Sequence, residues 1–263
     1  MSESRLLDMR ECADPSFQSI HKEMLATATR LQPAWIRPLL HRSSRLRGWA
    51  GHDHWSRAWE YPWAIRAARL GDTPQRTLDV GGGGGPFSEY LAQRGHEAHV
   101  VDPSLDQGGS FVLDRSRGLY SNARSIAKRL LFRAAGINSV WGLPERRRTG
   151  CVRYTARTAE DTGCPDRHFD RVFCLSVMEH IPRELWPACM REFQRVLKPG
   201  GHLIITLDME TEDANQRLYN RLIEACSLTL DGDPHYETPL NVEEQQRRHP
   251  GQWYETIGLV WNS

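Results

Sequence analysis

The segment Leu78-Asp79-Val80-Gly81-Gly82-Gly83-Gly84-Gly85-Pro86 sets an acid near the end of an apolar run and five glycines ahead of an amphipathic stretch. Glycine lacks a Cβ, so a backbone built from it can approach a ligand closely, and between a strand and a helix it cradles nucleotide-like groups. A dinucleotide site calls for G-x-G-x-x-G, and every register fails here, because the third glycine falls on Pro86, Phe87 or Ser88. What fits is an acid followed by G-x-G-x-G, at Asp79, Gly81, Gly83 and Gly85. A carboxylate at this strand end would repel a pyrophosphate and suits an ammonium. The charge therefore argues for a cofactor that carries an amino-acid moiety.

Asp102 and Pro103 close the next apolar run, at the distance where a βαβ unit sets an acid over ribose hydroxyls. Further along, Glu179 and His180 follow another apolar run. His180 is the candidate general base for an acceptor hydroxyl, because imidazole titrates near neutrality. Before the glycine loop, Arg57-Ala58-Trp59-Glu60-Tyr61-Pro62-Trp63 carries three aromatics, an acid and a base. Tyr61 and Glu60 suit positive charge, through an aromatic face and a carboxylate respectively. His52-Asp53-His54 gathers metal-capable groups, but residues two apart share a face only on a strand, so no metal site is expected.

The elements needed to position these groups follow from periodicity. Residues 1–75 read as a helical cap, with helix-like runs at Leu25–Leu31, Trp35–Leu40 and Trp63–Leu70. From Arg76 to Asp102 the pattern is strand (Thr77–Val80), glycine turn, helix (Phe87–Gln93) and strand (Glu97–Val101), which implies a parallel sheet. An insert at about 104–150 interrupts the alternation. It is basic at Arg117, Arg124, Lys128, Arg129, Arg133 and Arg146 to Arg148, and longer than a compact connection needs. Strands at Cys151–Tyr154 and Arg171–Val177 follow, then a helix at Glu184–Leu197 that Pro199-Gly200-Gly201 stops. A strand at His202–Leu207, a helix at Ala214–Ala225 and short strands at Leu228–Leu230 and Thr256–Trp261 complete the 76–263 core.

Composition narrows the class. The chain has 263 residues with 34 basic and 33 acidic side chains, so it offers no overall field for nucleic acid. No apolar run approaches the roughly 18 residues that a membrane span requires. The opening Met-Ser-Glu-Ser-Arg has no basic stretch leading into an apolar core, and a cytoplasmic location is expected. Six cysteines without a C-x-x-C pair are expected to be reduced thiols.

Taken together, the blocks Leu78–Gly85, Val100–Pro103, Ala159-Glu160-Asp161 through Val172, and Ser176–Ile181 followed by Val196–Gly201 resemble the class I S-adenosylmethionine-dependent methyltransferases, in their small-molecule and quinone branch. The resemblance covers roughly residues 75–210. It implies an α/β, Rossmann-like, seven-stranded, mostly parallel sheet with an antiparallel last strand at Thr256–Trp261. By the same resemblance, Gly81, Gly83 and Gly85 line the methionine end of S-adenosylmethionine, Asp79 assists its amino group, and Asp102 holds the ribose. Ala159 and Glu160 flank the adenine, Ser176 faces the sulfonium region, and the cap with Tyr61 closes over it. Glu179 and His180 belong to a loop that orders the transfer site. The sequence departs from the family at Thr158, where many members carry an acid, leaving Glu160 or Asp161 to substitute. The implied activity is methyl transfer to a small-molecule acceptor, with oxygen favoured. The alternatives are a nucleic-acid (tRNA) methyltransferase and a non-catalytic S-adenosylmethionine-binding protein.

Overall fold

The computed structural model describes residues 4–31, 57–83, 85–105, 152–210, 224–232 and 254–263, together with Pro38 and Leu222. Most of the basic insert, the His52-Asp53-His54 group, Gly84 and most of the Trp35–Leu40 and Ala214–Ala225 runs lie outside these residues.

Among the described residues, four helices, α1 (Pro15–Leu31), α2 (Arg57–Ala67), α3 (Pro86–Gln93) and α4 (Trp186–Val196), enclose one mixed sheet. Its strands are β1 (Arg5–Leu6), β2 (Arg76–Val80), β3 (Glu97–Val101), β4 (Val152–Thr155), β5 (Phe169–Leu175), β6 (Leu197–Glu210), β7 (Thr229–Leu230) and β8 (Tyr254–Asn262). They are ordered β1-β8-β6-β5-β2-β3-β4, with β7 also paired to β8. Strands β2 to β6 run parallel, as the sequence pattern predicts, and β8 is antiparallel to β6, as the family resemblance implies. The two-residue strand β1, drawn from a segment read as helical, is added at the edge of β8 through Arg5 opposite Gly258 and Leu6 opposite Ile257. Ser4 fastens it, accepting from the Val260 N–H at 2.9 Å.

Both faces of the sheet are buried, which is why the strands read as continuous apolar runs. On one face, Cys189, Met190, Phe193 and Val196 of α4 meet Leu78, Val172, Leu203, Leu259 and Trp261. On the other, Phe17 and Met24 of α1, Trp59 and Trp63 of α2 and Phe87 and Leu91 of α3 meet Val100, Phe173, Ile204 and Val260. Trp59 and Trp63 stack at 5.2 Å between centroids and are fully buried. A Cβ on Gly258 would come within 2.5 Å of the Trp63 ring, so only glycine lets α2 lie flat on β8. Truncating either tryptophan would remove packing worth about 3–5 kcal/mol. The described part of the cap is thus a layer of the sheet's own core.

Several boundaries differ from the sequence reading: α1 begins at Pro15 and not Leu25, α2 covers Arg57–Ala67 and not Trp63–Leu70, and two others have a clear local cause. Strand β5 ends at Leu175, because Ser176 turns into the left-handed region with φ of 50°. Pro199-Gly200-Gly201 does not end α4; the chain is already extended at Leu197 (φ −79°, ψ 135°), and the three residues lie inside β6. There the β5–β6 register is irregular, with Phe169 opposite Leu197 but Arg171 opposite His202. Gly200 takes φ of 75°, so the Pro-Gly-Gly acts as a bulge.

Candidate active site

The parallel strands change direction of progression between β2 and β5, and in open α/β sheets ligands bind in the crevice at the carboxyl ends of such strands. The glycine loop occupies that position. Gly81 leaves β2 with φ of 76°, and its N–H donates to the Val101 carbonyl at 2.7 Å, tying the loop to β3. Gly83 also has positive φ, at 51°. Gly85 caps α3, with Pro86 in the first turn where its missing N–H costs nothing.

Close packing explains the first two glycines. A Cβ on Gly81 would overlap the Val177 side chain, and one on Gly82 would overlap the Asp79 carboxylate. Asp79 is therefore buried beneath the loop, accepting from Ser88 Oγ at 2.9 Å. Burial pushes its carboxyl up to about 7 against the Ser88 hydrogen bond, and nearby Asp102 adds to the rise. Such a carboxylate gains from any cation brought to it. Asp102 is buried at the end of β3 and accepts from the Ser104 N–H at 2.7 Å; Pro103 beside it is exposed. Ala159 is buried and Glu160 half-buried beyond β4, whereas Asp161 faces solvent and pairs with Arg157 at 3.4 Å.

Helix α2 brings Tyr61 to the loop. Its hydroxyl lies 3.7 Å from where a Cβ on Gly85 would sit, and its ring packs on Phe87 at 5.3 Å. Burial raises the phenol to about 12, so it stays protonated. Glu60 departs from expectation. It is fully buried and turned to the sheet, where it accepts from Ser176 Oγ, from Thr206 Oγ1 at 3.0 Å and from Arg57 Nη1 at 2.8 Å. The Ser176 hydroxyl, expected to face the ligand, is engaged by Glu60.

Across from the glycine loop, a helical turn over Met178–His180 separates the two catalytic candidates: Glu179 is half-buried and His180 exposed. Glu179 Oε1 accepts from the Asp208 N–H at 3.4 Å, while the buried Oε2 has no hydrogen-bond partner among the described residues. Burial, reinforced by Asp208, pushes the Glu179 carboxyl up to about 8. Asp208, at the far end of β6, accepts from Thr256 Oγ1 at 2.6 Å and is also raised, by burial and then by Glu60. Arg57 is nearly buried among these acids; burial works against its charge, and Glu60, Tyr61, Asp208 and Glu179 more than offset it.

The structure thus gathers Asp79, the glycines, Asp102, Tyr61, Ser176 and Glu179 at one end of the sheet. Arg57 is noted in sequence only as the base of its stretch, and Asp208, Thr206, Thr256 and Val177 are not singled out there. Only Asp208 had a signal there, since it ends an apolar run as Asp79 and Asp102 do. At the opposite end, Glu97, His99 and His168 bring ligand atoms within 4.8 Å of one another. Arg76 at 3.0 Å and His99 Nε2 at 3.1 Å already occupy the two Glu97 oxygens, which accounts for the cluster without a metal.

A family profile described as a methyltransferase domain matches residues 53–235. The chain belongs to that methyltransferase-domain family. It is 30% identical over 143 residues to a ubiquinone biosynthesis O-methyltransferase of Xanthomonas oryzae pv. oryzae, covering 53% of this chain and 46% of that protein. The corresponding protein of Marinobacter nauticus is 33% identical over 132 residues, covering 50% and 43%. The chain therefore spans about half the length of the curated relatives it matches. Among solved structures, the 1,6-didemethyltoxoflavin-N1-methyltransferase of Burkholderia thailandensis aligns with a TM-score of 0.46 at 15% identity, over 86% of this chain and 88% of that one. No helix among the described residues is long and apolar enough to cross a membrane.

Proposed function

We propose that this chain transfers the methyl group of S-adenosylmethionine to an oxygen of a small-molecule acceptor in the cytoplasm. The observation that carries the reading is Asp79, a carboxylate buried under a backbone cradle, held by the Ser88 hydroxyl and raised to about 7. An amino-acid ammonium above the loop would supply the missing charge. Asp102 would accept from the ribose hydroxyls, Pro103 and Leu105 would border the sugar, and Ala159 and Glu160 would flank the adenine. Tyr61 and Gly81, Gly83 and Gly85 would enclose the methionine end. The preference for oxygen rests on the two ubiquinone biosynthesis O-methyltransferases among the relatives.

When bound, the cofactor supplies a carbon activated by positive sulfur, which leaves the protein to align the acceptor and remove its proton. Alignment is worth on the order of 7–11 kcal/mol and a positioned base about 10²–10⁴-fold. Of the pair expected from sequence, Glu179 suits the proton-removing role better. Its Oε2 is buried and able to accept, and a carboxyl near pKa 8 is a far stronger base than an ordinary carboxylate. His180, exposed on the same turn, then serves the loop. The test is to supply the purified protein with methyl-labelled S-adenosylmethionine and a panel of phenolic and aliphatic hydroxy compounds. Label in an ether product supports the reading, and label in amine or nucleic-acid products alone contradicts it.

A further inference from the structure

The Glu60 network has no task in binding or proton removal, yet it joins the two halves of the site. Ser176 sits at φ of 50°, a conformation unfavourable for a residue with a Cβ. Its N–H donates to Thr206 Oγ1 at 2.9 Å and to the Thr206 carbonyl at 3.0 Å, while its hydroxyl donates to Glu60. Thr206 Oγ1 donates to the same Glu60 oxygen, and Arg57 holds the other. A buried helix residue thereby grips the first residue after β5 directly at its hydroxyl and indirectly through Thr206 of β6. The residue after that turn, Val177, fills the space that the missing Gly81 side chain leaves open, with its Cγ1 2.6 Å from where a Cβ would stand. Two residues further on is Glu179, whose Oε1 lies on the Asp208 N–H.

We propose that Glu60 is a positioning residue: by holding Ser176 in its left-handed turn, it seats Val177 against the glycine loop and so keeps that loop in its ligand-ready shape. The inference rests on the reading that the loop holds S-adenosylmethionine. Glu60 itself touches no ligand, and its effect reaches the cofactor only through Ser176 and Val177. Glycine at 176 takes the same φ without strain, so a chain with Ser176→Gly needs the grip of Glu60 far less. That dependence separates positioning from a merely structural part, because a merely structural Glu60 would cost the same affinity whether serine or glycine stands at 176.

The experiment measures binding of S-adenosylhomocysteine by calorimetry, alongside thermal melting, for the wild type, Glu60→Gln, Ser176→Gly and the double variant. Arg57 keeps Asp208 and Glu179 as acidic neighbours when Glu60 is replaced, so Glu60→Gln retains a charged surround for that cation. Glu60→Gln is expected to weaken binding roughly tenfold when serine stands at 176 but less than about threefold when glycine does, as coupled neighbours behave. Should Glu60→Gln fail to fold, Thr206→Val removes the hydroxyl that Glu60 and Ser176 share, and the same loss and the same rescue by Ser176→Gly are expected. Wild-type affinity in Glu60→Gln, or a double variant as weak as the single one, overturns the positioning role while leaving the cofactor reading intact. Absence of binding by the wild type overturns both.

Discussion

On the β2–β3 side of the site the chemistry is local. Asp79 and the Ser88 that bonds it are nine residues apart, the glycines lie between them, and Asp102 ends the neighbouring strand. On the β5–β6 side, Arg57 and Glu60 come from α2, Ser176 and Glu179 from the turn after β5, Asp208 from β6 and Thr256 from β8. One half is shaped by the conformational freedom of a short segment, the other by tertiary hydrogen bonds across four elements. The first should therefore govern affinity for the cofactor directly and the second turnover and the response to pH, with the Glu60 grip on Ser176 as the second half's one route to affinity.

The largest effect expected from this division is on Glu179→Gln, which should lower kcat by roughly 10²–10³-fold with little change in cofactor affinity. Because the Glu179 carboxyl is raised, it is protonated and inactive below about 8, so wild-type kcat should climb with pH through that value and the variant should lack the climb. Equal losses of affinity and turnover would erase the distinction between the halves.

Stability should follow pH in a matching way. Asp79, Glu179 and Asp208 are all raised by burial, so their ionisation opposes folding. Their contribution is complete below the ordinary carboxylate range and is lost as pH rises through about 7 for Asp79 and about 8 for Glu179. Melting temperature of the ligand-free protein should fall over that span, and S-adenosylhomocysteine should remove the Asp79 share. A melting temperature that rises there would contradict the assignment of the buried acids.

Smaller effects sharpen the comparison. Tyr61→Ala should weaken cofactor binding at least several-fold, about 1 kcal/mol for a solvent-accessible cation over the ring and about 2 for a desolvated one, and unchanged affinity by calorimetry would remove Tyr61 from the site. His180→Ala and His180→Gln, measured at saturating cofactor, should keep kcat within about twofold, since an exposed imidazole contributes little to proton removal. A loss as large as that of Glu179→Gln would make His180 the base.

The same contrast explains what was legible in the amino-acid order. Asp79, Gly81, Gly83, Gly85 and Asp102 announce themselves because strand, loop and helix are consecutive, and the βαβ period fixes where the next acid falls. The parallel sheet follows from the same periodicity, and its antiparallel last strand from the family resemblance. The Glu60 network was not legible, because its bonds span 116 and 146 residues and only the folded sheet brings them together. Nor was the burial that turns Glu179 inward and leaves its neighbour outside, since adjacent residues on a short turn diverge for reasons of packing. Strand β1 was hidden for a simpler reason: two residues carry no period.

The most direct test of the central claim is calorimetric titration of S-adenosylhomocysteine into wild-type protein and Asp79→Asn. Loss of a charge-assisted contact to the ammonium is worth about 1.5–3 kcal/mol, so the variant should bind roughly 10- to 150-fold more weakly, at unchanged melting temperature or higher. Saturable binding that Asp79→Asn leaves untouched, or no binding by the wild type, would contradict the account.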